Sequence, residues 1–434
     1  MKRFVIETLI NWKNSLNRKP LILKGVRQCG KTYILKEFGK ECYENVAYFN
    51  FEENRSLSRV FDNDFDIGRI IFELSIIANS KIEKEKTLII FDEVQECHRA
   101  LTSLKYFNEN GNEYHIACAG SLLGISLNKD SSFPVGKVDF INLYPMSFNE
   151  FLVATGNENL YEYIKTFKKR TISEAISPKM ENLLKQYFVI GGMPEVVASW
   201  IRNGDISEVE RIQQQILSSY ELDFVKHAEI KEFPKLSAIW ASIPNQLAKP
   251  NSKFMFSQVK QSYRAKDLED ALMWLIDAGL IYKVSKVEKP NIPLSSYADS
   301  SFFKVYLSDV GLLRKLANVP SEVVLDQSSV YTEFKGAMAE NFVLNELIKV
   351  TDQTPYYWAN NNSAEVDFIV QIASNIIPIE VKSDKNVKAK SLGIYVDEYQ
   401  PKYAIKTSLK SEIGGNKITY LPLYCIGVIK DYIK

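Results

Sequence analysis

Gly25-Val26-Arg27-Gln28-Cys29-Gly30-Lys31-Thr32 reads G-x-x-x-x-G-K-T, the spacing of a loop built to cradle phosphate. The apolar run Leu21-Ile22-Leu23 before it predicts a short buried strand. The residues from Thr32 to Phe38 favour a helix that stops at Gly39. In that order, strand, loop and helix gather successive backbone N–H groups and the positive end of a helix dipole around one anion. Gly25 and Gly30 let the backbone bend. Lys31 supplies a point charge for the β- and γ-phosphates, and Thr32 offers a hydroxyl to Mg2+. ATP with Mg2+ is the ligand this chemistry implies.

The segment Thr87-Leu88-Ile89-Ile90-Phe91-Asp92-Glu93 supports the same reading. A continuous apolar run ending in two carboxylates predicts a buried parallel strand with acids at its C-terminal end. Asp92 would hold Mg2+, directly or through water, and Glu93 would orient and polarise an attacking water. Residues 45–51 (NVAYFNF) predict another strand, and residues 69–82 and 101–108 predict helices. A further strand runs from Tyr114 to Ala119 and closes with Gly120-Ser121; Ser121 is the candidate polar group facing the γ-phosphate, with a plain turn as the alternative.

At 434 residues the chain exceeds one ordinary core, so two to four domains are expected. Lys and Arg number 54 against 53 Asp and Glu, for a net charge of +1, so any nucleic-acid contact has to come from a local patch. The five cysteines (Cys29, Cys42, Cys97, Cys118, Cys425) and three histidines (His98, His115, His227) show no disulfide or metal-ligand spacing. With no apolar run long enough to span a bilayer, no membrane partner is expected. The first residues read as an amphipathic helix, Phe4 to Trp12, not a signal peptide, and a reducing, cytoplasmic setting is expected.

Four segments together resemble a prokaryotic family of AAA-type ATPases in which a P-loop domain precedes a C-terminal region of poorly defined function. They are Gly25-x-Arg27-Gln28-x-Gly30-Lys31-Thr32; Phe91-Asp92-Glu93-Val94-Gln95; Leu143-Tyr144-Pro145-Met146-Ser147-Phe148-x-Glu150-Phe151-Leu152; and Gly191-Gly192-Met193-Pro194-Glu195. The resemblance implies nucleotide contacts from Arg27, Gln28 and Tyr33 beside the loop residues already named. The last two segments carry no general chemistry. Family members often have Gly-Arg before the Pro-Met-Ser-Phe segment, where an arginine finger would sit. Gly136-Lys137 stands there instead, and lysine cannot make the planar bidentate contact of arginine. Arg27 and Arg99 are the alternatives. Such ATPases commonly work as rings, so a second copy of the chain is an expected partner.

Residues 150–200 show apolar positions at helical spacing (Leu183, Leu184, Tyr187, Phe188), broken at Gly191-Gly192, and read as a helical lid that continues through Ile206 to Lys226. Farther on, Ala265 to Ala278 is amphipathic, with Leu268, Leu272, Leu275 and Ile276 on one side, and Gly279 leads into a strand. This resembles a winged helix-turn-helix, which would make DNA a partner through Lys260, Arg264 and Lys266. Glu269 and Asp270 on the same helix favour an interdomain packing role instead.

The C-terminal hundred residues carry the second chemical signal. Tyr331 to Val350 predicts a helix containing Glu340; Tyr356-Tyr357-Trp358, Glu365 to Val370 and Ile376 to Ser383 predict strands. Asp367 followed by Glu380-x-Lys382 resembles the PD-(D/E)-x-K nuclease core. Glu380 and Lys382, two residues apart, share one strand face. Glu340, Asp367 and Glu380 would bind Mg2+, while Lys382 and Glu380 would serve a nucleophilic water. A module of this shape that no longer cuts and only binds DNA or protein is the alternative, since fold does not fix function.

The expected architecture is therefore α/β: a P-loop NTPase core with a doubly wound parallel sheet (1–149), a helical lid (150–230), a winged-helix-like domain (231–325) and a restriction-endonuclease-like α/β domain (326–434). The expected function is an ATPase that couples nucleotide state to a DNA-binding, and in the fuller reading Mg2+-dependent DNA-cleaving, C-terminal module.

Overall fold

In the computed structural model the chain is described except at residues 121–132, 167–171, 228–231, 250–252, 261, 327–331, 361–363, 385–388, 416 and 434. It divides into two compact units: residues 2–144 with 277–279, and residues 145–276 with 280–434.

The first unit is built on five parallel strands: β1 (Leu21–Lys24), β2 (Asn45–Asn50), β3 (Thr87–Asp92), β4 (His115–Ala119) and β5 (Asp139–Asn142). Their spatial order is β2-β3-β4-β1-β5. β3 and β4 are buried at every residue, as their uninterrupted apolar runs require when helices cover both faces of a parallel sheet. β4 lies between β1 and β3 in register (Leu21 beside Ala117, Leu88 beside His115), so the C-terminal ends of β1 and β3 flank that of β4. The Ile67–Ile77 and His98–Asn110 helices bury Ile70, Ile71, Leu74, Leu101, Leu104 and Phe107 in the core of this unit.

The second unit holds a mixed seven-stranded sheet in the order β12-β11-β10-β9-β8-β6-β7. Its strands are β6 (Ile281–Val287), β7 (Ala298–Leu307), β8 (Tyr356–Ala359), β9 (Glu365–Ile372), β10 (Asn375–Val381), β11 (Ile405–Ser408) and β12 (Thr419–Pro422). The β6–β7 hairpin, which the sequence places in the winged-helix-like segment, is continuous with the strands of the nuclease-like segment: β6 pairs in parallel with β8. One sheet therefore crosses residue 325, where sequence alone sets a domain boundary. Similarly, the helices expected as a lid (Ser177–Ile190, Pro194–Asn203, Ile206–His227) fall within this second unit. The cause is aromatic packing: Tyr187 and Phe188 stack edge-on against Phe342 of the Thr332–Thr351 helix, and Phe148 and Phe151 pack on Tyr187. No described helix is long and apolar enough to cross a membrane.

The two segments with no derivable chemistry are explained by this unit. Ser147 caps the Phe148–Ala154 helix and Glu150 reaches back to the Ser147 N–H, a reciprocal capping box. The Met146 N–H donates to the Gly192 carbonyl at 2.6 Å, and the Tyr187 hydroxyl and the Lys349 ammonium donate to the Met146 carbonyl at 2.5 and 3.1 Å. A Cβ on Gly192 would lie 2.1 Å from that carbonyl oxygen, so only glycine fits. Asp309 completes the knot: its carboxylate accepts from Gly192 N–H at 2.6 Å and, as an N-cap, from Leu312 N–H at 2.9 Å. The Pro145–Phe151 and Gly191–Glu195 segments are thus a structural clasp.

Candidate functional site

The phosphate loop follows β1 directly. Gly30 takes a left-handed conformation (φ 93°) as it caps the Lys31–Cys42 helix, and Gln28 is also left-handed (φ 64°). Such reversals turn backbone N–H groups into one concavity, and the first N–H groups of the helix have no carbonyl partner within it. The requirement for Gly25 is different: a Cβ there would lie 2.3 Å from the Leu143 carbonyl oxygen and 2.8 Å from Cys29 Sγ. Arg27, Gln28 and Tyr33 are exposed beside the loop. The Lys31 ammonium donates to the Gly25 and Val26 carbonyls at 2.9 and 3.1 Å, so the loop's own backbone holds the cation that the motif supplies for phosphate.

Asp92 is 3% exposed at the end of β3. The Thr32 hydroxyl donates to both its oxygens (3.1 and 2.9 Å), and the Tyr48 hydroxyl, from neighbouring β2, donates at 2.7 Å. Burial, and then this bond to Asp92, push the Tyr48 hydroxyl well above its usual pKa, so it remains a donor. Thr32 and Asp92 thus present hard oxygen donors side by side, a set that fits Mg2+ completed by phosphate oxygens and water. Glu93 adopts a left-handed backbone (φ 48°), and its carboxylate accepts from the Gln95 amide at 2.5 Å. Gln95 Oε1 is buried without a partner.

Ser121 lies outside the described residues. Lys137, in place of the expected arginine, pairs with Glu109 at 3.0 Å. Arg99 donates to the Phe61 carbonyl and lies over the Phe65 ring, so it serves the packing of its own unit. Sequence reading missed Arg3. Only 5% exposed, it donates to the carbonyls of Cys29 (3.3 Å) and Tyr144 (2.7 Å), anchoring the loop backbone. Roles for Tyr48 and Gln95 were not foreseen either; Tyr48 stood only as a polar residue in a neighbouring strand, and Gln95 only as the last residue of the Phe91–Gln95 segment.

The second unit brings its predicted residues into one cluster, with Asp367 and Glu380 buried and Glu340 and Lys382 partly exposed. The β9–β10 register pairs Phe368 with Ile379, and one further step sets Asp367 opposite Glu380. Asp367 accepts from the Val381 N–H at 2.7 Å, and Glu380 pairs with the Lys382 ammonium at 2.7 Å. Glu340, from the Thr332–Thr351 helix, accepts from the Tyr306 hydroxyl at 2.8 Å. Burial, with the neighbouring Asp367 charge adding to it, raises Glu340 and Glu380 above the usual carboxylate range; Lys304 offsets this at Glu340 and Lys382 at Glu380. The unforeseen member is Lys304 of β7. Its ammonium is 1% exposed, 2.6 Å from Glu365 and 3.9 Å from Glu340. The K-V-Y alternation of β7, which puts Lys304 and Tyr306 on one face, and the E-V-D alternation of β9 were the available signals. Among the described residues no group of three or more His, Cys, Asp or Glu side chains is arranged to hold a metal ion, and Glu340, Asp367 and Glu380 do not fit one as they stand.

Comparison with known proteins agrees with the first unit. Residues 17–152 match the family described as an AAA domain. Residues 2–144 thus contain most of the segment similar to that AAA domain, folded as a P-loop α/β sheet. Residues 181–323 and 335–426 match two families each described as a domain of unknown function, DUF8612 and DUF4143. Uncharacterized proteins of Mycobacterium bovis and Mycobacterium tuberculosis are each 31% identical over 80 residues, which is 18% of this chain. The match spans 17% of the length of these curated relatives. Among solved structures, a Walker-type ATPase of Pyrococcus abyssi is 13% identical with a TM-score of 0.46, covering 73% of this chain and 95% of that one. AMPPCP-bound DnaA from Aquifex aeolicus is 16% identical with a TM-score of 0.28, covering 62% and 75%.

Proposed function

We propose that the first unit binds and hydrolyses Mg·ATP and that its nucleotide state governs a DNA-binding second unit that does not cut. The observation that carries the hydrolytic part is the Thr32–Asp92–Glu93 arrangement at the mouth of the phosphate loop. Backbone N–H groups and Lys31 would hold the β- and γ-phosphates, Thr32 and Asp92 the Mg2+, and Glu93 would orient water once released from Gln95. Held by Thr32 and Asp92, Mg2+ would supply positive charge against the phosphates.

DNA is the proposed partner because lysines and aromatics interleave on the β6–β7 hairpin. Lys286, which also pairs with Glu288 at 3.0 Å, and Lys253, which bridges to β7 at Lys304, lie over the ring of Phe302, which is 48% exposed, and Lys283 lies over Phe303. Ammonium groups for phosphate beside an exposed ring for a base suit a nucleic-acid strand. Lys260, Arg264 and Lys266 remain in the proposed contact set, but exposed Glu269 and Asp270 disfavour the Ala265–Asp277 helix as the reading element. The four-part division at 149/150, 230/231 and 325/326 is retained as a proposal for sequence modules, with the hairpin shared between the last two.

The helix, three antiparallel strands, helix and parallel strand from Thr332 to Ser408 support the nuclease-like frame. Binding without cleavage is favoured because each cluster carboxylate already has an internal donor. Fluorescence anisotropy of labelled duplex DNA tests the reading. Affinity is expected to differ between an ATP analogue and ADP, and Lys253→Ala with Lys286→Ala should weaken it and reduce the salt slope by about 1, since Glu288 already pairs with Lys286. Absence of binding at low salt removes DNA as the partner. Metal-dependent cutting abolished by Asp367→Ala would establish the cleaving alternative.

A further inference from the structure

Lys304 and the carboxylates around it are the feature that the proposed function leaves unused. Lys304 belongs to β7, outside the 335–426 match and outside the helix–strand frame that carries Glu340, Asp367 and Glu380. In sheet order β7 lies three places from β9, yet its side chains meet those of β9. Lys304 touches Glu365, and the Tyr306 and Phe368 rings stand 5.7 Å apart. The sheet therefore curls so that its edge strand closes over the acidic face. The Tyr357 ring lies 5.3 Å from the Lys304 ammonium on a further side.

A buried cation is costly unless paired and hydrogen-bonded, and here the charges of Glu340, Glu365 and Asp367 outweigh burial and keep Lys304 protonated. Four carboxylates, Glu340, Glu365, Asp367 and Glu380, share the cluster with two ammonium groups, Lys304 and Lys382. Their two positive charges equal that of one divalent ion. Glu365 is satisfied by Lys304, Glu380 by Lys382, Asp367 by a backbone N–H and Glu340 by Tyr306. Among the described oxygens around Lys304, Glu380 Oε2 and the Tyr357 hydroxyl are buried without a partner; of the four carboxylates that leaves one open oxygen, which does not make a metal site.

We propose that Lys304 is the resident cation of this cluster, inserted from the β6–β7 hairpin in the role that a divalent metal would otherwise fill, and that it keeps the second unit free of metal. The inference rests on the reading of that unit as a binding module. It also ties the hairpin proposed to meet DNA to the acidic interior through one side chain, with Lys304 buried and Phe302, exposed where the β6–β7 register shifts, flanked by Lys253 and Lys286.

The experiment is Mn2+ titration of the nucleotide-free full chain, followed by electron paramagnetic resonance, with thermal unfolding in parallel. Wild type is expected to show no saturable site sensitive to Asp367→Asn and no Mn2+-dependent shift in the unfolding of the second unit. Lys304→Met should lower the thermal midpoint of the second unit and bind Mn2+ at least tenfold more tightly than wild type. That gain should disappear in Lys304→Met/Asp367→Asn, and Mn2+ should restore part of the lost midpoint. A wild-type Mn2+ site lost in Asp367→Asn overturns the proposal, as does an unchanged midpoint in Lys304→Met. Should Lys304→Met not fold, the wild-type and Asp367→Asn pair decides alone. A wild-type site without DNA cleavage rejects the resident cation but leaves the binding-module reading standing; cleavage with it rejects both.

Discussion

Replacing Asp309 with alanine tests whether the Gly191–Gly192 segment is a clasp. Asp309 is 2% exposed and supports two backbone donors from separate parts of the chain. Losing the cap on Leu312 N–H costs about 1 kcal/mol. Leaving the Gly192 N–H buried without its acceptor costs about 1–3 kcal/mol. Against this, burial pushes the Asp309 carboxyl above its usual pKa, so removing it also relieves a desolvated charge. The net loss should fall near the lower end, about 2 kcal/mol. Asp309→Asn keeps one acceptor oxygen and should lose less than the alanine variant. Urea denaturation followed by tryptophan fluorescence suits this question. Trp200, Trp240, Trp274 and Trp358 lie in the second unit, and only Trp12 lies in the first. A loss below about 0.5 kcal/mol, the range of ordinary surface changes, would refute the clasp.

Three further outcomes follow from named contacts. Tyr48→Phe removes the donor to Asp92 Oδ2 and should weaken Mg2+ binding to the ATP complex by about tenfold or more, read from the Mg2+ dependence of hydrolysis. Gly192→Ala drives a Cβ into the Met146 carbonyl and should destabilise the second unit by about 1–3 kcal/mol or more in the same urea assay. His115 is held at about 4 by burial, with Arg18 and Lys13 adding to it, against 6.5 in the unfolded chain. Between those values the unfolded state binds the extra proton, so the first unit should lose stability as pH falls from about 6.5 to about 4. The slope reaches at most about 1.4 kcal/mol per pH unit, and His115→Phe should flatten it in pH-dependent unfolding.

The phosphate loop and the acidic strand were legible because their chemistry is contiguous: eight residues define one and seven the other. Period-two spacing likewise placed Glu380 and Lys382 on one strand face, and Asp367 does sit across from Glu380. Long-range contacts were not legible. Nothing local to Lys304 tells that its ammonium meets Glu365, 61 positions later, because that depends on the curl of the sheet. The boundary at residue 325 failed to separate sheets for the same reason: β6 finds its parallel partner in β8, across the Thr332–Thr351 helix. Gly25 reads in sequence as a point of bending and Gly191-Gly192 as a helix break, but at Gly25 and Gly192 the requirement is close approach to the carbonyls of Leu143 and Met146, far away in sequence.

The central claim is that Lys31 and Glu93 serve ATP hydrolysis. Its most direct test is phosphate release from Mg·ATP, measured with nucleotide affinity for wild type, Lys31→Ala and Glu93→Gln. Wild type should turn over, and Lys31→Ala should lose both affinity and turnover. Glu93→Gln should keep its nucleotide while hydrolysis falls by about 10²–10⁴-fold. Turnover in Glu93→Gln and Lys31→Ala within twofold of wild type would contradict the account.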